Sequence, residues 1–210
     1  MRPLRGFIFL ILLSFALETF AYLPREGNVT AVFGPYIYRT NYENSRLNML
    51  SPWRGGFGLQ ANGDISDVGA LEIGFYYMQK TFFMERFGKI IAEETELLHS
   101  TMGYRRWLLP WLSASLTLFS SYSIGEPRTV RNDFGAGKEP WTSAHDLTEY
   151  GLDFSVQTEL WSQDRWAVLI DTRYSWSGTA KQGESADHYG AILAFRYFVQ
   201  EKQVVDGPRP

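Results

Sequence analysis

The chain contains no cysteine. Disulfides, thiolate metal sites, a cysteine nucleophile and a lipid-modified cysteine behind a cleaved leader are all excluded. Histidine is scarce, with 3 in the whole chain, so imidazole chemistry has few places to occur. No charge of one sign dominates either. The 20 basic and 23 acidic side chains leave a formal net charge of −3, and there is no basic footprint for nucleic acid. Long hydrophobic runs are missing too. The apolar stretch Gly6–Leu17 falls short of the about 20 residues a helix needs to cross a bilayer, and no later stretch comes closer. If this protein spans a membrane, it does so as strands.

What the sequence has in quantity is aromatic residues, 16% of the chain, set in segments that alternate apolar and polar. The clearest is Tyr150–Trp176. Tyr150, Leu152, Phe154, Val156 and Leu160 fall on one face, with Gly151, Asp153, Ser155, Gln157 and Glu159 between them. After a polar turn at Ser162–Arg165, Trp166, Val168, Ile170, Tyr174 and Trp176 share a face, opposite Ala167, Asp171, Arg173 and Ser175. A period of two places alternate side chains on opposite faces of a sheet, so this is an amphipathic hairpin. Trp161 and Trp166 stand at its turn, Tyr150 and Trp176 at its far end. Indole and phenol rings favour a hydrocarbon–water boundary.

The N-terminus has Arg2 and Arg5, then the apolar run, then the small residues Thr19 and Ala21. That is the layout of a secretory signal peptide over residues 1–21, which implies Sec-type export. Residues 22–200 read as one domain, and 201–210 as a short polar periplasmic tail. Within the domain eight strand segments emerge: Asn28–Thr40, whose phase Gly34 and Pro35 obscure, then Trp53–Asn62, Asp67–Lys80, Ile90–Tyr104, Trp111–Tyr122, the two strands of the hairpin, and His188–Val199. In the fourth, Glu93, Glu94 and Glu96 could equally begin a helix. Arg105–Pro110 reads as a turn and Gly125–Asp146 as a long loop without periodicity. Connections alternate mostly long and short, the third being a brief exception. Trp107, Trp111, Trp161 and Trp166 gather at the short-turn end, while Trp53 and Trp176 lie at the long-loop end. Two aromatic belts, an even strand count and both termini on one side match an all-β, eight-stranded, antiparallel up-and-down transmembrane β-barrel.

On that architecture the chain resembles the small eight-stranded outer-membrane barrels of the OmpX type and the transmembrane part of OmpA. The resemblance covers the whole mature chain and rests on no diagnostic motif. Those families often end at an aromatic of the last strand. Here Tyr197–Phe198 supplies one, but a tail follows. The resemblance implies a monomer in the outer membrane of a Gram-negative bacterium, in contact with lipid and lipopolysaccharide and inserted by the barrel assembly machinery. The partner of its extracellular loops is not legible.

In such a barrel Arg54, Gln60, Glu72, Glu149, Asp153, Gln157, Glu159, Asp171, Arg173 and Arg196 point inward as a polar network. Eight strands leave a lumen that side chains fill, so charges there must pair or be hydrated. Pairing Leu160 with Trp166 would set Asp153 opposite Arg173. Gly56, Gly58, Gly74, Gly151 and Gly190 leave room for long interior side chains. On the loop rim, His145 and Asp146 begin one strand and Asp187 and His188 another. Imidazole with carboxylate can hold a divalent ion, but a strand separates the two groups, and solvated loop ends are the plainer reading. His99 beside Ser100 lacks any acyl-hydrolase signature. The expectation is a non-enzymatic protein without cofactor, with an envelope or surface-interaction role through its loops. Kept beside it are a narrow channel or small-solute carrier, a lipid-modifying outer-membrane enzyme, and a soluble periplasmic barrel whose apolar face holds a ligand.

Overall fold

The structure is a computed structural model that describes residues 22–44, 49–135 and 137–200. The leader and the tail expected from the sequence lie outside the described residues. Eight long strands carry the fold: β1 Val29–Thr40, β2 Arg54–Ser66, β3 Gly69–Arg86, β4 Lys89–Leu109, β5 Leu112–Ser123, β6 Thr148–Gln163, β7 Trp166–Ser177 and β8 His188–Gln200. Each pairs antiparallel with its neighbour in the chain, and β1 pairs with β8 to close the ring. Closure leaves no free edge around the wall.

The period of two explains why these segments are strands, and it sorts their faces. In β5, Leu116 and Leu118 stand exposed on the outside while Ser113, Ser115 and Thr117 are buried within. The same division holds for Leu59, Ile73, Phe75, Phe154, Val156, Leu193 and Phe195 outside, against Gln60, Glu72, Asp153, Gln157 and Arg196 inside. Apolar residues on the exposed face of every wall strand and charge in the interior are the reverse of a soluble fold, where large exposed apolar surfaces are avoided. A hydrocarbon surround demands this arrangement.

The phase of β1, unreadable from the sequence, is now settled. Val32, Tyr36 and Tyr38 are buried and Ile37 is exposed. Pro35 pairs with Phe57 on β2, while the ladder to β8 skips Gly34 and Pro35. The missing proline N–H therefore falls on the β8 side.

Two expectations are corrected, and one open alternative is resolved. The segment 105–110 is not a turn: β4 runs to Leu109, and the turn is Pro110–Trp111. The acidic run in β4 starts no helix, because Lys89–Leu109 is one strand paired with β3 and β5. The hairpin register also differs. The turn is the two residues Asp164–Arg165, with Asp164 at φ 51°; this tighter turn slides the register, a bulge at Leu160 takes back one position, and Ser155 rather than Asp153 stands opposite Arg173.

At the loop end β3 and β4 overshoot the rim and turn at Phe87–Gly88, both in the left-handed region with φ 52° and 71°. The loop 125–146 is less irregular than its sequence suggests. Arg128–Asn132 pairs with the overhang of β4 at Ile91–Glu94, and Ser143–His145 forms one 3₁₀ turn capped by Thr142. On the other side Glu184–Ser185 pairs with Phe83–Met84. The alternation was invisible because Arg128–Asn132 is mostly exposed on both faces.

Glycines seat the large rings inside. A β-carbon at Gly190 would lie 2.4 Å from the Ile37 carbonyl oxygen, 2.6 Å from Tyr38 Cβ and 2.7 Å from the Tyr36 ring. Gly190→Val should therefore destabilise the barrel by about 1–3 kcal/mol through overpacking, read as a lower urea midpoint of the folded band in micelles.

Candidate functional site

The interior carries the chemistry of this molecule, and each charged group there is set by strand parity. At mid-barrel lies a cluster built around two arginines. Glu72 accepts from Arg105 Nε and from Arg173 Nη2, both at 2.6 Å. Arg173 Nη1 donates to Asp153 at 3.0 Å. Asp171 Oδ2 accepts from Gln60 at 2.9 Å and from both guanidiniums at 3.3 Å. Arg105 also donates to Ser113, Ser115 and Ser155, and Ser175 donates to Asp153 at 2.6 Å. The network joins β2 to β7. Asp153 and Arg173 do pair, diagonally across the ladder, because an arginine is long enough to span the offset.

Beneath this cluster Arg196 pairs with Glu159, and above it Lys80 Nζ contacts both oxygens of Glu149 at 2.6 and 2.7 Å. Arg54, at the loop rim and partly exposed, pairs with Glu94, which also accepts from Arg128. The ten polar residues expected to point inward, Gln60 and Gln157 among them, lie inside the barrel or at its rim.

Three participants escaped the sequence reading. Arg105 had been put in a turn, yet it is wholly buried. Its signal was parity with His99, Thr101 and Gly103, masked by the neighbouring Arg106. Lys80 continues the inward series Glu72, Gly74, Tyr76 and Met78, and extending that series would have found it. The third is a cross-strand contact: His99 meets Ser121 Oγ through Nδ1 at 2.7 Å, while its Nε2 lies 3.5 Å from Asp153. Only the β4–β5 register reveals this pair. Ser121, His99 and Asp153 have the residue types of a hydrolytic triad, but all three are buried, and both Asp153 oxygens are held by Arg173 and Ser175. The trio is enclosed within the barrel and tied into the surrounding network.

The rim residues do not converge. His145 Nε2 is 3.0 Å from Glu93, and Asp146 pairs with Lys181 at 3.0 Å. Asp187 accepts from the Tyr174 hydroxyl and the Ser177 amide. His188 points into the barrel, with its ring centre 5.3 Å from that of His99. Among the described residues no group of three histidine, aspartate or glutamate side chains is placed to hold a metal ion. Instead the loops knit into a cap: Thr142 donates to Glu93, and Ser143 gives Glu184 both its amide and its hydroxyl.

The six tryptophans expected in the belts sort into two groups. Trp53, Trp111, Trp161, Trp166 and Trp176 are exposed on the outer wall near strand ends. Trp107 is the exception and corrects the belt. It shares the inward parity of Arg105, is buried, and packs at a tilt against Tyr22 with ring centres 4.6 Å apart. Tyr22 closes the turn end of the barrel. Its hydroxyl donates to Asp64 and Arg196 lies over its ring at 4.2 Å. Burial, reinforced by Asp64, holds this phenol well above its usual range, so it stays neutral.

No protein-family model matches the chain, and no curated protein sequence does. Solved structures do match. The outer membrane protein OprG from Pseudomonas aeruginosa aligns with a TM-score of 0.53 at 8% identity, over 85% of this chain and 98% of that one. The attachment invasion locus protein Ail of Yersinia pestis, crystallised with the heparin analogue sucrose octasulfate, aligns with a TM-score of 0.47 at 13% identity, over 82% of this chain and 99% of that one. The fold is that of the small eight-stranded outer-membrane β-barrels.

Proposed function

We propose that this protein is a monomeric, non-enzymatic barrel of a Gram-negative outer membrane, exported by the Sec route. In this reading the capped loops face outward and serve envelope structure or surface interaction. The observation that carries it is the inversion of polarity: a closed wall with exposed apolar side chains around an interior where Lys80, Arg105, Arg173 and Arg196 each meet a carboxylate. This inversion also disfavours the soluble ligand-binding barrel, whose apolar face would line the inside. A channel is disfavoured by the same packing, since Arg105, Tyr36, Tyr38, Tyr76 and Met78 occupy the lumen and are wholly buried. The lipid-modifying enzyme is disfavoured by the enclosure of Ser121 and His99 and by the separation of the rim histidines. Lipid and lipopolysaccharide would surround the wall, and the barrel assembly machinery would insert it.

The test is heat modifiability in isolated outer membranes. Unboiled protein should migrate differently from boiled protein on an SDS gel, and should sediment with the membranes. A single band regardless of boiling, with the protein released in the periplasmic fraction, would overturn the proposal. Planar-bilayer recording of the purified protein should show no single-channel steps, and discrete conductance would favour the channel instead.

A further inference from the structure

Of the 7 tryptophans, Trp141 belongs to neither belt. It stands in the loop 125–146 and is 71% exposed, yet it is fixed from behind. Its ring packs on that of His145, with centres 4.8 Å apart and planes 31° from parallel. His145 Nε2 is 3.0 Å from Glu93 Oε1, and Glu93 Oε2 accepts from the Thr142 hydroxyl at 2.6 Å. Glu93 is buried on the inward side of the β4 overhang, and Ala144 of the same turn packs in one cluster with Phe82 and Leu97. These contacts seat the indole over the mouth of the barrel, beyond the upper belt. Its open face meets water rather than lipid.

An exposed indole keeps a large apolar surface in water, and a ring fixed in one orientation has already lost the freedom that binding would otherwise take from it. Its fringe is polar. Lys181 Nζ donates to the Thr142 carbonyl at 2.9 Å and to Asp146 Oδ1 at 3.0 Å, and the Lys181 and Asp146 side chains are partly open to solvent. Asp146 Oδ2 and His145 Nδ1 take no hydrogen bond among the described residues. Glu93 faces His145, Lys181 faces Asp146, and Lys138 stands beside Glu139 in the chain, so the surface holds no excess of cation for an anionic ligand. A protein hot spot would set its anchor amid further apolar side chains, whereas among the described residues the one ring against Trp141 is that of His145. A flat apolar face edged by fixed donors and acceptors is complementary to a neutral sugar ring. The axial C–H groups of such a ring carry the partial positive charge that an indole face attracts, and its equatorial hydroxyls reach sideways to polar partners.

We propose that Trp141 is a stacking platform for one neutral pyranose of a glycan, with the Lys181–Asp146 pair and His145 Nδ1 taking hydroxyls at its edge. A β-linked glucose unit suits it best, because its hydroxyls are equatorial and both of its faces are lined with C–H. The site deepens the surface-interaction reading above and rests on it, since the loops must face outward. It names the chemistry of the partner as a neutral polysaccharide rather than a lipid or an anion.

Saturation-transfer NMR of the full folded protein tests this, in a detergent without a sugar headgroup, with cellopentaose as the probe and a sulfated heparin pentasaccharide as the anionic control. Cellopentaose should bind with a dissociation constant of about 1 mM, within reach of one stacked ring and a few hydrogen bonds. Trp141→Ala should weaken binding about tenfold and Trp141→Phe less, while both variants still shift on heating because the ring is exposed. No transfer to cellopentaose at about ten times that concentration would overturn the site. So would unchanged affinity in Trp141→Ala, or a preference for the sulfated sugar. Polysaccharide released from the producing cell's own lipopolysaccharide forms a last arm. Displacement of cellopentaose by it assigns the partner to the cell's own coat, and failure to displace assigns an external glycan. Wild-type protein that failed to shift on heating would instead overturn the membrane reading, and that is read before any sugar is added.

Discussion

Replacing Arg173 with methionine should cost the folded barrel about 3–5 kcal/mol, the range for breaking a buried ion pair from one side. Methionine has comparable bulk and keeps the apolar stem of the side chain, so the loss is mainly electrostatic. Arg173 meets three carboxylates, Glu72, Asp153 and Asp171. Once it is gone, Arg105 still serves Glu72 and Asp171, but Asp153 keeps only the Ser175 hydroxyl and the more distant ring of His99. A carboxylate stranded in that interior is shut off from bulk solvent. The double variant Arg173→Met, Asp153→Asn should recover part of the loss, because it removes the stranded charge along with its partner. Urea titration of the heat-modifiable form in micelles measures both. If Arg173→Met unfolded at the wild-type urea concentration, the cluster would have no part in stability.

The second large effect lies on the opposite face of the wall. Leu116 is 51% exposed, near the middle of β5 and between the levels of Trp111 and Tyr122. Leu116→Arg should cost about 2–4 kcal/mol, the price of a cation at the centre of the hydrocarbon. The same change at Trp111, close to the turn, should cost about 0–1 kcal/mol in charge, because the side chain reaches the interface. A half-exposed leucine on a soluble protein would tolerate arginine within about 0.5 kcal/mol. The two outcomes are therefore well separated, and the refolding yield into lipid vesicles at each position discriminates them. A flat response along β5 would mean that water, not lipid, lies outside.

Much of this fold was legible because a barrel wall is a single layer. Each strand has one neighbour on either side and one simple demand on each face, so alternation alone identified the eight strands and placed Glu72, Asp153, Asp171 and Arg173 inside. Legibility failed wherever a residue's role depended on register. The tight Asp164–Arg165 turn, only partly offset by the bulge at Leu160, moved Asp153 off the position across from Arg173. Ser121 is 22 residues from His99 in sequence, and no pattern announces that the two are level. Arg105 was lost for a different reason. Adjacent Arg105 and Arg106 point to opposite sides of the wall, and two like charges in a row imitate a turn. Trp107 went astray with it: once the strand was ended too early, its tryptophan looked terminal. The loop cap was opaque because its contacts, such as Thr142 to Glu93, join residues that share no local periodicity.

The inverted wall also bears on how such a chain changes over generations. Its outward positions answer only to hydrocarbon, which does not distinguish leucine from valine or phenylalanine in the way that a packed core does. Those sites can exchange freely among apolar residues, and half of every strand is such a site. The constraint on the lineage is therefore a rhythm rather than a spelling. A protein of this architecture can keep its shape under very different letters, and this chain shares the fold of OprG at 8% identity. The slower clock should run inside, where replacing one arginine requires three acids to be answered at once.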